Sequence, residues 1–339
     1  MKIFITGTAG FIGFSLAKSL LENNHSVYGY DGITNYYDIK LKDDRNKILK
    51  KYKKFLFTRG MLENKSLLNN TIVKFKPEII IHLAAQAGVR YSIDKPRTYL
   101  SSNIMGTYNI IELAHKVKVK HLMIASSSSV YGANKKTPFS ENDSVKLQMS
   151  IYASTKLATE SIAHAYSNIW KTPTTVIRFF TVYGPWGRPD MAPFKFTKSI
   201  LEGKKIDIYN KGNLYRDFTY VDDIVNGVTS LIKKNPIYIK NPSLNKIDSL
   251  SSVAPFRIVN IGNSKKIKLL DFIKAIENSL GKRALRNYKP MQKGDVFMTL
   301  ANTKLLKKLT GYTPKTNFKE GVKNFVKWYL EYYKNNKKY

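Results

Sequence analysis

The chain has 339 residues, 43% of them hydrophobic, with no cysteine and a formal charge of +33 from 57 Lys and Arg against 24 Asp and Glu. Such a length and apolar content suit a globular chain of one large or two modest domains. With no apolar run of membrane-spanning length and no leader-like charged and apolar start, a soluble cytoplasmic protein without a membrane partner is expected. The missing cysteines exclude disulfides and thiolate metal sites. The positive excess is Lys scattered over the whole chain rather than a basic arm or aromatic platform, so no dedicated nucleic-acid partner is expected and an anionic small substrate uses the field instead.

Strand-like and helix-like segments alternate from the start. Ile3 to Thr6 reads as a strand, Phe11 to about Asn23 as a helix and Val27 to Tyr30 as a strand. A helix near Lys40 to Lys51 follows, then strands at Phe55 to Phe57 and Ile79 to Leu83. Next come a long helix from about Thr98 to Val117, a strand from His121 to Ser126, a helix around Ile151 to Trp170 and a strand from Thr175 to Phe179. Continuous apolar runs alternating with helices predict a parallel sheet covered on both faces, a doubly wound, Rossmann-like α/β fold. Beyond Arg178 the pattern loosens into the turn-rich run Tyr183-Gly-Pro-Trp-Gly-Arg-Pro-Asp190, a helix near Phe194 to Leu201, short strands and a last amphipathic helix from about Phe318 to the end. Asn235 to Pro255 reads as a surface insertion. The expected division is residues 1–181 as a nucleotide-binding domain, with 216–262 partly returning to it, and 182–215 with 263–339 as a smaller C-terminal α/β substrate lobe.

Gly7, Gly10 and Gly13 lie between the first strand and the first helix. Glycine there lets the backbone approach a pyrophosphate, while the helix N-terminus supplies N–H donors and positive potential through Gly10, Phe11, Ile12 and Gly13. The second strand ends in Asp31, where a carboxylate accepts hydrogen bonds from the adenosine ribose and repels a 2′-phosphate. NAD rather than NADP is the expected cofactor. Tyr152 and Lys156, within Ser150-Ile-Tyr-Ala-Ser-Thr-Lys156, share a helix face at i and i+4, so the ammonium favours the phenolate and makes a base. The five His show no HxxxH or HExxH spacing, and no catalytic metal is expected.

Taken together, Gly7-x-x-Gly10-x-x-Gly13, His82-Leu-Ala-Ala-Gln86, Ser126-Ser-Ser-Ser-Val-Tyr-Gly132 and Tyr152-x-x-x-Lys156 resemble the extended short-chain dehydrogenase/reductase family of nucleotide-sugar enzymes. The resemblance continues through Arg178 to Gly184, Arg216 to Asp223 and Asn260 to Gly262. Tyr36-Tyr-Asp38 and Pro185-Trp-Gly-Arg-Pro-Asp-Met-Ala192 look most like its UDP-glucuronate 4-epimerases. It implies Ser127 as the third member of a Ser-Tyr-Lys set and Asn103 as the support of Lys156. Leu83, Ala84 and Ala85 become a backbone wall beside NAD, and Arg216 a contact of the UDP group. It further implies a homodimer, built on the long helices, that makes a sugar acid for surface polysaccharide. Two positions depart from the pattern: Met61 stands where an Asp commonly meets adenine, and Gln292 where many UDP-hexose epimerases carry a phosphate-binding Arg.

The resemblance implies transient oxidation at C4 of the sugar with return of the hydride to the opposite face. The family's 4,6-dehydratases place an Asp-Glu pair after the serine position, because elimination needs an acid and a base; here Ser128 and Ser129 occupy those places. A 4-keto uronate loses carbon dioxide readily, so its carboxylate must be restrained, and Ser128, Thr181 and Arg188 are the candidates. An Arg188 to Asp190 ion pair that merely holds the loop is the competing reading. Alternatives are a 4-epimerase of a neutral UDP-hexose or UDP-N-acetylhexosamine, a net keto-sugar reductase, and a catalytically silent NAD-binding or RNA-associated regulator.

Overall fold

A computed structural model describes residues 1–239, 248–292 and 294–335. Strand β1 (Lys2–Thr6) buries Ile3, Phe4 and Ile5 completely, as a strand covered on both faces must. Helix α1 (Phe11–Glu22) packs Phe14, Leu16, Ala17 and Leu20 onto it, followed by β2 (Ser26–Asp31) and α2 (Ile39–Leu49). Asp38 caps α2 by accepting from the Lys40 N–H at 2.9 Å. The first half is completed by β3 (Phe55–Arg59), α3 (Lys65–Phe75) and β4 (Ile79–His82).

The expected long helix near 98–117 is broken into three pieces. After the short α4 (Tyr91–Asp94) come α5 (Pro96–Tyr99), a π-helical turn (Leu100–Met105) and α6 (Gly106–Lys116). Then β5 (His121–Ser127) leads through a cis Thr137-Pro138 loop to α7 (Ile151–Trp170), which Ser150 caps by accepting from the Ala153 N–H at 3.1 Å. Strands β6 (Thr174–Phe179) and β7 (Thr181–Tyr183) follow. Beyond them lie α8 (Ala192–Leu201), β8 (Lys205–Tyr209), β9 (Tyr215–Arg216), β10 (Phe218–Tyr220) and α9 (Val221–Leu231). The chain closes with β11 (Phe256–Ile261), β12 (Ile267–Lys268), α10 (Leu269–Leu280), β13 (Leu285–Lys289), α11 (Lys304–Thr310) and α12 (Phe318–Asn335). The centre of the expected 235–255 insertion, residues 240–247, lies outside the described residues, as does the end of the last helix.

Seven strands pair in the order β11-β6-β5-β4-β1-β2-β3, all parallel. This is the doubly wound arrangement, with order reversing beside β1, and such sheets bind ligands at the carboxyl ends of their strands there. One apolar layer holds α1, α9 and the Leu305 and Leu306 side chains of α11 against one face; another packs α3, α6 and α7 against the other. A separate aromatic core joins α8, α10 and α12 around Phe194, Phe272, Phe325 and Tyr329. Among the described residues no helix is long and apolar enough to cross a membrane.

Candidate active site

Where β1 ends, Gly7 turns with φ +83°, and a Cβ added there would lie 2.8 Å from the Ala84 nitrogen. A Cβ on Gly13 would stand 2.0 Å from the Gly7 carbonyl oxygen, so only glycine lets α1 start against this loop. Gly10 precedes α1 with no side-chain cap, which leaves the first-turn N–H groups to a ligand. Asp31 closes β2 and accepts from the Ala9 N–H at 3.0 Å and the Ile33 N–H at 2.8 Å. Burial raises its pKa, opposed by the Ile33 N–H and by Lys42, the Ala9 N–H and Arg45. These features fit a dinucleotide: a close backbone approach, uncapped helix donors and an oriented acid.

Leu83 and Ala84 donate their N–H groups to the Thr6 hydroxyl, each at 3.1 Å. That hydroxyl meets His82 Nδ1 at 2.7 Å, and His82 Nε2 meets the Thr107 hydroxyl at 3.0 Å. Burial, with a smaller contribution from Lys156, lowers the pKa of His82 to about 3.

Ser127 ends β5, while Tyr152 and Lys156 lie in the first two turns of α7. Burial raises the Tyr152 pKa, against the Ser127 hydroxyl and the Arg188 guanidinium. Arg188 is thus a cation that favours the phenolate. Lys156 Nζ donates to the Ala125 carbonyl at 2.9 Å, and burial lowers its pKa to about 8 against the pull of Glu160. Tyr99 presents its ring edge-on to Tyr152, with centroids 6.2 Å apart.

One cavity of about 470 Å³ is lined by Gly7, Gly10 to Gly13, Asp31, Leu83 to Ala85, Ser127, Ser128, Tyr152, Lys156, Thr181, Arg188 and Arg216. Asn103 stands behind the wall instead. Its side chain accepts from the Gln86 N–H at 2.8 Å and donates to the Gln86 carbonyl at 3.1 Å and the Thr155 hydroxyl at 3.0 Å, so it reaches Lys156 through its neighbour. Arg188 pairs with Asp190 through Nε and Nη2, and the Tyr36 hydroxyl donates to the same carboxylate at 3.0 Å. Arg216 pairs with Asp295 and donates to the Tyr215 carbonyl at 2.9 Å. Gln292 keeps a buried, unpartnered Oε1.

Sequence reasoning passed over Lys42 and Glu63 on the cavity wall. Lys42 Nζ donates to the Thr34 carbonyl at 2.6 Å and lies 4.3 Å above the Tyr37 ring. Glu63 accepts from the Ser102 hydroxyl at 2.7 Å. Glu63 follows the Met61 departure by two residues, a carboxylate signal near the end of β3 that was legible. Lys42 had no such signal, because a Lys on an amphipathic helix is ordinarily solvated.

The family model described as GDP-mannose 4,6 dehydratase matches residues 4–325. The chain belongs to this family. Its match to Protein CapI of Staphylococcus aureus is 52% identical over 334 residues, 98% of this chain and 100% of that protein. A probable UDP-glucuronate 4-epimerase of Rhizobium meliloti is 48% identical, with 98% of each chain covered. Among solved structures, UDP-glucuronic acid 4-epimerase from Bacillus cereus, in complex with UDP-glucuronic acid and NAD, superposes with a TM-score of 0.87 at 31% identity, covering 98% of this chain and 100% of that one. The family model carries a dehydratase's name, while at positions 128 and 129 on the cavity wall this chain has serine hydroxyls.

Proposed function

We propose that this protein is an NAD-dependent UDP-glucuronate 4-epimerase that interconverts UDP-glucuronate and UDP-galacturonate. The observation that carries the reading is the convergence, in one cavity, of Ser127, Tyr152 and Lys156 with hydroxyls at 128, 129 and 181 and the guanidinium of Arg188. When bound, NAD would supply the acceptor for the C4 hydride and, once the 4-ketone has turned over in the cavity, the donor that returns it to the other face. Tyr152 takes the proton of the 4-hydroxyl and later returns it, with Ser127 bonding the same oxygen. Lys156 holds the nicotinamide ribose; Gly7, Gly10 and the first turn of α1 take the pyrophosphate, and Asp31 the adenosine ribose. Leu83 to Ala85 form the wall beside the cofactor, and Asn103 keeps the Gln86 turn and Thr155 in register.

Ser128 and Ser129 supply no carboxyl acid near neutral pH, so oxidation at C4 is not followed by elimination. Ser128, Thr181 and Arg188 restrain the sugar carboxylate and thereby suppress loss of carbon dioxide. A charge-assisted contact of this kind contributes about 1.5–3 kcal/mol, enough to prefer the acid over a neutral hexose. Arg216 binds the UDP group and exchanges Asp295 for phosphate oxygens. Residues 1–181 with 216–262 hold NAD, and 182–215 with 263–339 the sugar nucleotide. Exposed apolar side chains on α4 to α7, including Ile93 at 59% and Ile169 at 65% exposure, suit a homodimer in the cytoplasm.

The test is incubation with UDP-glucuronate, without added reductant, followed by NMR. UDP-galacturonate without pentose or accumulated NADH is the expected result. UDP-pentose as main product refutes the restraint of the carboxylate, and conversion of UDP-glucose alone refutes the acid-specific pocket.

A further inference from the structure

Arg45, on α2, is fully buried, yet among the described residues its hydrogen-bond acceptors are all uncharged. Nη1 donates to the Ala9 carbonyl at 2.8 Å and the Tyr37 hydroxyl at 2.8 Å; Nη2 donates to the Trp186 carbonyl and the Gly187 carbonyl at 3.4 Å. Asp31 lies close enough to feel its charge but accepts none of its hydrogen bonds; a buried guanidinium so weakly paired is costly to desolvate, and a scaffold alone is built more cheaply from an apolar side chain. The acceptors show what it joins. Ala9 lies inside the glycine loop, and its N–H is the donor to Asp31. Trp186 and Gly187 come immediately before Arg188. Trp186 has φ +63°, a conformation a bulky residue rarely adopts, and its ring packs on Phe14, Trp328 and Tyr332. Tyr37 adjoins Tyr36, which donates to the partner carboxylate of Arg188. The contacts thus close a ring from Arg45 through the Trp186-Gly187 turn, Arg188, Asp190, Tyr36 and Tyr37 back to Arg45, with Ala9 and Asp31 attached to it at Arg45.

We propose that Arg45 is a positioning residue that fastens the loop bearing Arg188 to the glycine-rich loop, so that the sugar carboxylate is met by a guanidinium registered against the dinucleotide. This rests on the reading of Arg188 as a carboxylate contact. Arg45 hydrogen-bonds to both loops, and its planar fork reaches acceptors on two sides at once, which an ammonium cannot.

The experiment is steady-state kinetics with UDP-glucuronate, with NMR of the products, for Arg45→Lys, Arg188→Met and the double variant. Arg45→Lys keeps the charge and loses the fork; KM is expected to rise about ten-fold with kcat within about two-fold, and UDP-pentose to appear. In the Arg188→Met background Arg45→Lys adds nothing to KM, because one effect passes through the other. A wild-type KM in Arg45→Lys, or an equal further rise in the Arg188→Met background, overturns the inference alone. A wild-type KM in Arg188→Met overturns the carboxylate reading and the inference with it. Should Arg45→Lys not fold, Tyr37→Phe removes one acceptor and keeps the ring: a rise in KM of about three-fold supports the inference and an unchanged value refutes it.

Discussion

Burial raises the pKa of the Tyr152 phenol, the proposed base, and lowers that of the Lys156 ammonium to about 8. Tyr152→Phe is expected to lose about 10²–10⁴ in kcat while keeping its affinity for NAD, checked by turnover beside a cofactor titration. An unfolded Lys titrates near 10.4. Between about 8 and that value the unfolded chain holds a proton that the folded one has released, so stability rises with pH across this window, and the cost of the buried charge is fully present below it. Lys156→Met should therefore stabilise the fold at pH 7, on the order of 2 kcal/mol, and the gain should fade towards pH 10. Urea melts at both pH values measure it; a gain equal at pH 7 and pH 10 contradicts this assignment. At this scale the Tyr152 and Lys156 pair was legible because local spacing carries it, whereas Ser127 was reached only through the family resemblance. Arg45 was not, since nothing along α2 indicates that one of its basic side chains reaches a turn so distant in sequence.

Among the elements, the π-helical turn from Leu100 to Met105 does the most to place the site. Its wider turn sets Asn103 where one amide holds both polar groups of the Gln86 backbone and the Thr155 hydroxyl. Asn103→Ala leaves the buried Gln86 N–H and carbonyl unpaired, while the Thr155 hydroxyl keeps the Tyr152 carbonyl, and is expected to cost about 2–4 kcal/mol by urea unfolding, with turnover falling alongside. Between β6 and α7, Arg178 donates to Glu160 through Nε at 3.0 Å and Nη2 at 2.7 Å, and the Ser126 hydroxyl donates to the same carboxylate. Arg178→Met strands that carboxylate in the core and is expected to cost about 3–5 kcal/mol in the same assay, whereas a surface pair such as Lys18 and Glu22 gives about 0–1 kcal/mol. Helical periodicity showed the helix near 98–117 but not its break. Three- and four-residue repeats continue through a π-helical turn, and the partner of Asn103 in that turn, Gln86, lies 17 residues away, outside any helical repeat. The helix α3 escaped the sequence reading because its core stripe is short, only Leu68, Ile72 and Phe75 with Thr71, between polar flanks.

For the molecule as a whole, the parallel sheet was readable from its apolar runs, and its last strand was the least visible. Strand β11 pairs with β6 only after the chain has crossed into the second core and back, so its place depends on contacts no local pattern encodes. The net charge of +33 is spread widely, and its expected effect is on encounter rather than on the bound complex. Raising ionic strength from 0.05 to about 0.5 M should lower kcat/KM for the anionic substrate several-fold and leave kcat within about two-fold, as salt screens exposed charge more than buried contacts. Stopped-flow binding against steady-state turnover separates the two.

The Thr6 hydroxyl has a single hydrogen. Two backbone N–H groups already occupy its oxygen lone pairs, so that hydrogen goes to His82 Nδ1 and the imidazole proton sits on Nε2, facing Thr107. With its pKa near 3, His82 keeps this one neutral tautomer throughout the working range. Beneath the Leu83 to Ala85 wall the sheet therefore carries an uncharged imidazole, and the charge changes of the cavity with pH belong to other side chains, Lys156 among them.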